Sequence, residues 1–282
     1  MIIDAHVHLW RLARGDNLAL TPDMAPIYRD REPGDLRPLL DRAGIDRVVV
    51  VQAAWTIAET LFTIGLSVRF PWIAGIIGWA DLTSPSLREE IDALLLTGRL
   101  KGIRPVDAND NRSVAWLLDD GLQRGWDIVA AADLPVDLLV QDWREVPVAT
   151  ALARRRPGLR FVLDHCGKPD IAGGRFQPWA GSLAELARLP NVACKLSGLV
   201  NCAAPGSGAA ELKPYTDHVL ACFGPERVLW ASDWPPLDLA ADYATWKSVS
   251  ADLLAPLSVD ARQAVFGRTA EELYRLEPPN PE

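Results

Sequence analysis

The chain opens with "MIIDAHVHLW", residues 1–10, an apolar run carrying two histidines one residue apart. In an extended strand, residues i and i+2 point to the same face. Read as a strand, this stretch projects His6 and His8 side by side. Two imidazoles so placed share a cation, or hold and polarise a substrate. Two purely structural histidines on one strand face would be the less economical reading. Asp4, just before them, is expected to orient or cap the pair from behind.

Working outward, short apolar β-branched runs alternate with helical patterns. "DRVVVVQAA" (46–54), "WIAGIIGWADL" (72–82), "LKGIRPV" (100–106), "VDLLVQD" (136–142), "RFVLDHCG" (160–167), "NVACKLSGL" (191–199) and "RVLWASDWP" (227–235) read as seven further strands. Helices are expected at about 35–44, 58–70, 84–98, 113–133, 146–158, 179–188, 213–224, 239–254 and 258–273. The strands are apolar along their length rather than alternating, as in a parallel sheet covered on its faces. Eight such units in about 250 residues predict an α/β fold, a single (β/α)8 TIM barrel over residues 1–282. No linker or repeat divides the chain, and "EPPNPE" (277–282) is expected to be a loose tail.

The chain is 49% hydrophobic and 23% charged, a globular composition. Its net charge of −8, from 29 basic and 37 acidic residues, has no basic stripe and argues against nucleic acid as a partner. No apolar run approaches the ~20 residues of a membrane span. The N-terminus lacks the basic flank and apolar core of a signal peptide. Cys166, Cys194, Cys202 and Cys222 show no paired spacing and read as reduced thiols. A cytoplasmic enzyme acting on a small molecule is the expectation; oligomeric state, including a homo-oligomer, is left open.

In a barrel of this kind the active site lies at the C-terminal ends of the strands. His6 and His8 reach that rim from strand one, Arg104 from strand four, His165 from strand six, Lys195 from strand seven and Asp233 from strand eight. A carboxylate in the apolar run around Asp233 needs a partner or a task. Arg104 and Lys195 could equally pair with neighbouring acids. Eleven tryptophans are many for this length. Those near strand ends, Trp55, Trp79 and Trp234 among them, fit the walls of a pocket that stacks on a ring-shaped ligand. His218, in a helix, reads as structural.

Five segments in order, "DAHVHLW" (4–10), "KGIRP" (101–105), "LDHCGKPD" (163–170), "ACKLSGL" (193–199) and "GPERVLWASDWP" (224–235), resemble the amidohydrolase superfamily. More narrowly they are similar to its sugar-lactonase branch, the fuconolactonase- and rhamnonolactonase-like hydrolases, with the 2-pyrone-4,6-dicarboxylate lactonases as relatives. The resemblance implies a lactonase opening an aldono- or aldaro-lactone. In it Asp233 is the general base, His165 and Arg104 are catalytic, and Arg104, Lys195, Trp55, Trp79 and Trp234 hold the substrate. His6, His8, His165 and Asp233 are then the candidate ligands of one Zn²⁺, with metal-independent catalysis the alternative. Two-metal relatives add a histidine on strand five and a bridging lysine or glutamate on strand four. Here those strands offer "LLVQDW" and "KGIRP", so a binuclear centre lacks its ligands. A lactone isomerase and a metal-dependent decarboxylase are the competing activities, and non-catalytic carbohydrate binding a further one. Loops 10–33 and 200–213 are expected to select the substrate.

Overall fold

Valine-rich runs such as "RVVVV" favour extended backbone but leave no polar face for solvent, so they are stable only when covered on both sides. The computed structural model, which describes residues 1–107 and 113–278, shows this arrangement. Its strands are β1 (Ile3–Val7), β2 (Arg47–Val51), β3 (Ile73–Gly78), β4 (Leu100–Ile103), β5 (Val136–Leu138), β6 (Phe161–Leu163), β7 (Val192–Leu196) and β8 (Val228–Trp230). Each pairs in parallel with the next, giving one sheet in the order β1 to β8. Every strand position is buried except Lys101, which is half-buried.

The circle is fastened just beyond the strands. The Asp233 amide donates to the His6 carbonyl at 2.9 Å, and the His8 amide to the Trp234 carbonyl at 2.8 Å. Val7 and Trp234 form a parallel bridge there. The result is the (β/α)8 barrel read from the sequence.

Helices α1 (Pro33–Ala43), α2 (Ile57–Arg69), α3 (Leu87–Leu95), α4 (Gln123–Ala131), α5 (Val146–Arg155), α6 (Phe176–Ala187), the short α7 (Leu199–Cys202), α8 (Ala209–Phe223), α9 (Tyr243–Leu254), α10 (Val259–Gln263) and α11 (Thr269–Leu273) follow in chain order. The large core lies between helices and sheet. A second cluster, with Ile3, Ala5, Val49, Val51, Leu229 and Ala231, is built from alternate strand positions and fills the barrel's interior. Tyr274 and Leu276 join that inner cluster from the C-terminal segment.

Three expectations are corrected. Residues 113–133 are not one helix. Asp119 is extended (φ −61°, ψ 130°) and its carboxylate accepts from the Gly121 amide, so two short 3-10 turns precede α4. The helix expected from 239 starts at Tyr243, where the Asp242 side chain caps the Thr245 amide. The last helix is interrupted by a π-helical turn over Ala264–Arg268. There Gly267 packs so closely on the N-terminus that a Cβ would lie 2.6 Å from the Met1 carbonyl oxygen. The tail is held at its start, where the Glu277 carbonyl accepts from Arg47 at 2.5 Å; residues 279–282 lie outside the described residues. Among the described residues no helix is long and apolar enough to cross a membrane.

Candidate active site

Strict alternation along β1 would send Asp4, His6 and His8 to one face. The β1–β2 pairing shifts register between Asp4 and Val7, and this irregularity divides the three. Asp4 faces away from the barrel mouth, accepting from the Tyr243 hydroxyl at 2.7 Å and from the Ser232 amide at 2.9 Å. It also accepts from the His6 amide at 3.1 Å, so it holds the strand end that carries the histidines. Burial raises its carboxyl to about 6, against the lowering effect of these bonds.

His6 and His8 turn into the mouth, their Nε2 atoms 3.1 Å apart. His165 and Asp233 reach the same point from just past β6 and β8. Both stand in left-handed backbone, at φ 52° and 61°, so each side chain leaves its strand at a sharp turn instead of continuing the alternation. Gly198 makes room for His165. It has φ +67°, and a Cβ there would sit 2.8 Å from the His165 Cβ.

The Asp233 Oδ1 lies 3.6 Å from His6 Nε2, 3.5 Å from His8 Nε2 and 3.8 Å from His165 Nε2. Burial pushes this carboxyl upward, but His165, a hydrogen bond from His8 and then His6 outweigh it, leaving Asp233 below the usual carboxylate range. Burial holds the His165 ring down at about 4, so it is neutral at pH 7. An ionised carboxylate thus stands beside neutral His165 and beside His6, whose ring burial also holds well below the usual imidazole range. Outer partners fix the rings: His8 Nδ1 lies 2.9 Å from the Val51 carbonyl, and His165 Nδ1 lies 2.9 Å from the Ser197 hydroxyl.

Beneath His6 is a fully buried charge network. Lys195 Nζ bonds Asp137, lies 3.1 Å from Asp164 Oδ1 and 3.0 Å from His6 Nδ1. The Tyr274 hydroxyl donates to Asp137 at 2.8 Å from below. Arg104 donates to Asp164 at 3.2 Å and to the Gln52 carbonyl at 2.5 Å. Asp164 stays well below the usual carboxylate range: burial works to raise it, and Lys195 and His6 overcome that.

A cavity of about 310 Å³ opens above the cluster. His8, His165, Asp233 and Arg104 face it, and Trp10, Trp55 and Trp116 stand in its wall. Of the expected substrate contacts, Arg104 and Trp55 are there. Lys195 is not: it is 0% exposed and serves the histidines from below. Trp79 is buried behind the wall, its indole donating to the Val106 carbonyl at 2.8 Å, and Trp234 is buried beneath Arg31. Loop 10–33 supplies part of the wall as expected, whereas 200–213 supplies none; the strand-four loop, through Val106 and Trp116, does. His218 is structural, 2.9 Å from the Ala180 carbonyl.

Sequence reasoning missed Lys168, which lines the cavity three residues after His165 and is also left-handed (φ 48°). Burial lowers its pKa despite the attraction of Asp233. Its place in "LDHCGKPD" was the available signal.

Three imidazoles and a carboxylate at the mouth of a barrel, under a cavity with cationic side chains, make the site of an enzyme that activates water and polarises a carbonyl. The chain belongs to the amidohydrolase family, whose model matches residues 3–276. It is 39% identical over 282 residues to an L-fucono-1,5-lactonase of Burkholderia ambifaria, covering 99% of this chain and 97% of the relative. It is 35% identical to an L-fucono-1,5-lactonase of Burkholderia multivorans, covering 98% and 97%. A crystal structure of an amidohydrolase from Burkholderia multivorans with bound Zn superposes with a TM-score of 0.89 at 33% identity, covering 98% of this chain and 100% of that one.

Proposed function

We propose that this protein hydrolyses a sugar-derived lactone to the free acid, a 1,5-aldonolactone being the favoured class. The observation that carries the reading is the convergence of Asp233, His8, His165 and Arg104 on the floor of a tryptophan-walled cavity sized for one sugar ring. The relatives named L-fucono-1,5-lactonase support the same chemistry.

Asp233, ionised and facing the cavity, takes a proton from water as the oxygen attacks the ring carbonyl. The cations Arg104 and Lys168 counter the charge that develops on the carbonyl oxygen. Asp233 then returns its proton to the departing ring oxygen. Trp10 and Trp55 exclude bulk water and stack on the apolar face of the ring. We infer a reducing cytoplasm as its setting, a reading supported by the four unpaired cysteines.

The donor set also fits one divalent cation. Asp233 Oδ1 lies 3.5–3.8 Å from the Nε2 atoms of His6, His8 and His165, and the His6 and His8 Nε2 atoms are 3.1 Å apart, spacings that donors sharing one ion at bonds of roughly 2 Å adopt. His6, His165 and Asp233 form one candidate group among the described residues. These residues would hold the ion, which when bound supplies Lewis-acid polarisation of the carbonyl.

The test is a panel of aldono- and aldarolactones assayed by pH indicator, before and after chelation and with Zn²⁺ restored. Product analysis by NMR separates hydrolysis from ring-closure exchange. Turnover of 1,5-aldonolactones to free acids is expected. Failure to hydrolyse any lactone under all three conditions overturns the reading.

A further inference from the structure

Both ring nitrogens of His6 meet groups of fixed polarity, Lys195 at Nδ1 and Asp233 at Nε2. An ammonium has hydrogens to give and no lone pair, so Lys195 Nζ, 3.0 Å away, can only donate to His6 Nδ1. A neutral imidazole that accepts at Nδ1 carries its hydrogen on Nε2. At 2.9 Å the Val51 carbonyl can only accept, so His8 Nδ1 carries a hydrogen. The His6 Nε2 hydrogen points towards the Asp233 carboxylate, whose Oδ1 is 3.6 Å away. The polarity across His6 therefore runs one way, from Lys195 through the ring towards Asp233. Arg104 Nη1 also faces His6 Nε2, but at 3.5 Å, the outer limit of a hydrogen bond, and it is already committed to Asp164 at 3.2 Å.

A cation held by His6 Nε2 needs the opposite arrangement. Its ligand atom must present a lone pair, so the hydrogen must sit on Nδ1 and find an acceptor. One is in place: Asp164 Oδ1, buried, 3.4 Å from Nδ1 and paired so far only with Lys195 at 3.1 Å. Beneath one ring nitrogen lie both a donor, Lys195, and an acceptor, Asp164.

From this geometry we infer that Lys195 is a positioning residue that holds the His6 hydrogen on Nε2, and that a divalent cation binds the cluster only by displacing this bond and moving the hydrogen to Nδ1, against Asp164. No proton enters or leaves the site in the exchange; the same hydrogen changes nitrogen. Metal-free, His6 is a donor aimed at Asp233. With the cation it is a ligand. Lys195 therefore opposes cation binding and sustains the metal-free form. The inference stands whichever lactone is turned over, because its test contains no substrate.

The test uses the full chain labelled with ¹⁵N at histidine, of which there are four. Long-range ¹H–¹⁵N correlation spectra distinguish protonated from unprotonated ring nitrogens. In chelator-stripped protein at pH 7.5, His6 is expected to be protonated at Nε2 and bare at Nδ1. With one equivalent of Zn²⁺ the hydrogen is expected on Nδ1. A stripped protein with His6 protonated at Nδ1 overturns the inference, and wild-type protein alone decides this. The double variant Lys195→Met with Asp137→Asn removes the donor together with its buried counter-charge. It is expected to carry the hydrogen on Nδ1 even without metal and to bind Zn²⁺ at least tenfold more tightly by calorimetry. A folded double variant with an unchanged His6 spectrum and unchanged Zn²⁺ affinity refutes the role given to Lys195.

Discussion

Replacing Asp233 by asparagine removes the carboxylate's charge and leaves nearly all else. Asparagine tolerates left-handed backbone, so the φ of 61° carries little penalty. The amide that bonds the His6 carbonyl at 2.9 Å is main chain and survives. What goes is the proton acceptor lying 3.5–3.8 Å from the His8 and His165 nitrogens. Loss of a positioned general base lowers kcat by about 10²–10⁴-fold, or about 3–5 kcal/mol of barrier. KM should move less than threefold, because the proposed ring contacts Trp10, Trp55 and Arg104 are untouched. Asp233→Ala adds a backbone cost, since a non-Gly, non-Asn residue in that region costs about 1–2 kcal/mol. For a chain of this length the unfolding entropy is about 0.6 kcal/mol/K, so alanine should also lower Tm by roughly 2–3 °C while asparagine leaves it in place. Initial rates by pH indicator at pH 7.5 and thermal melts of both variants separate the two effects. An asparagine variant within fivefold of wild-type kcat would refute Asp233 as the base.

Other outcomes follow from the surrounding structure. Glu59, buried with Oε2 lacking a hydrogen-bond partner, is pushed by burial from 4.5 up to about 8. A carboxyl raised on folding lends stability that is complete below its unfolded value and lost as pH rises through the folded one. Glu59→Gln should therefore match wild type in melting at pH 4.5 and exceed it at pH 9 by a few kcal/mol; equal curves at pH 9 would show that Glu59 is not held protonated. Gly198→Ala, which drives a methyl into His165, should lower kcat at least tenfold and cost about 1–2 kcal/mol from its φ alone, read by assay and urea melt. Lys168→Met should lower kcat/KM by about one to two decades, with Lys168→Arg restoring part of it; an unchanged value in the methionine variant would remove Lys168 from the charge-countering role. Trp55→Ala should raise KM about tenfold with kcat little altered, and the reverse pattern would place Trp55 in the chemistry.

The strands were legible because a doubly covered parallel sheet has no choice but to be apolar, and the helices between them follow the ordinary period. The histidine pair was legible because it sits two residues apart on the first of those strands. Direction was less so. Lys195 and Asp233 look alike in a sequence, each a charge near the end of an apolar run. Lys195 is on regular β7 and points into the closed interior, whereas Asp233 lies past β8 in left-handed backbone and points up to the cavity. That difference depends on where hydrogen bonding to the next strand stops, which a single strand does not encode. Trp79 and Trp234 failed as pocket walls for the same reason. Asp4 was separated from the histidines by a register shift that only the pairing with β2 creates.

The first and last strands clasp at the spot proposed for the proton transfers: one link in that clasp is the main chain of Asp233 on His6, another that of His8 on Trp234. A molecule whose hoop has sprung open has no functioning centre, however much helix it retains. Residual turnover along a denaturant titration should then count closed hoops, vanishing in step with protection of those two amides and ahead of the helical signal.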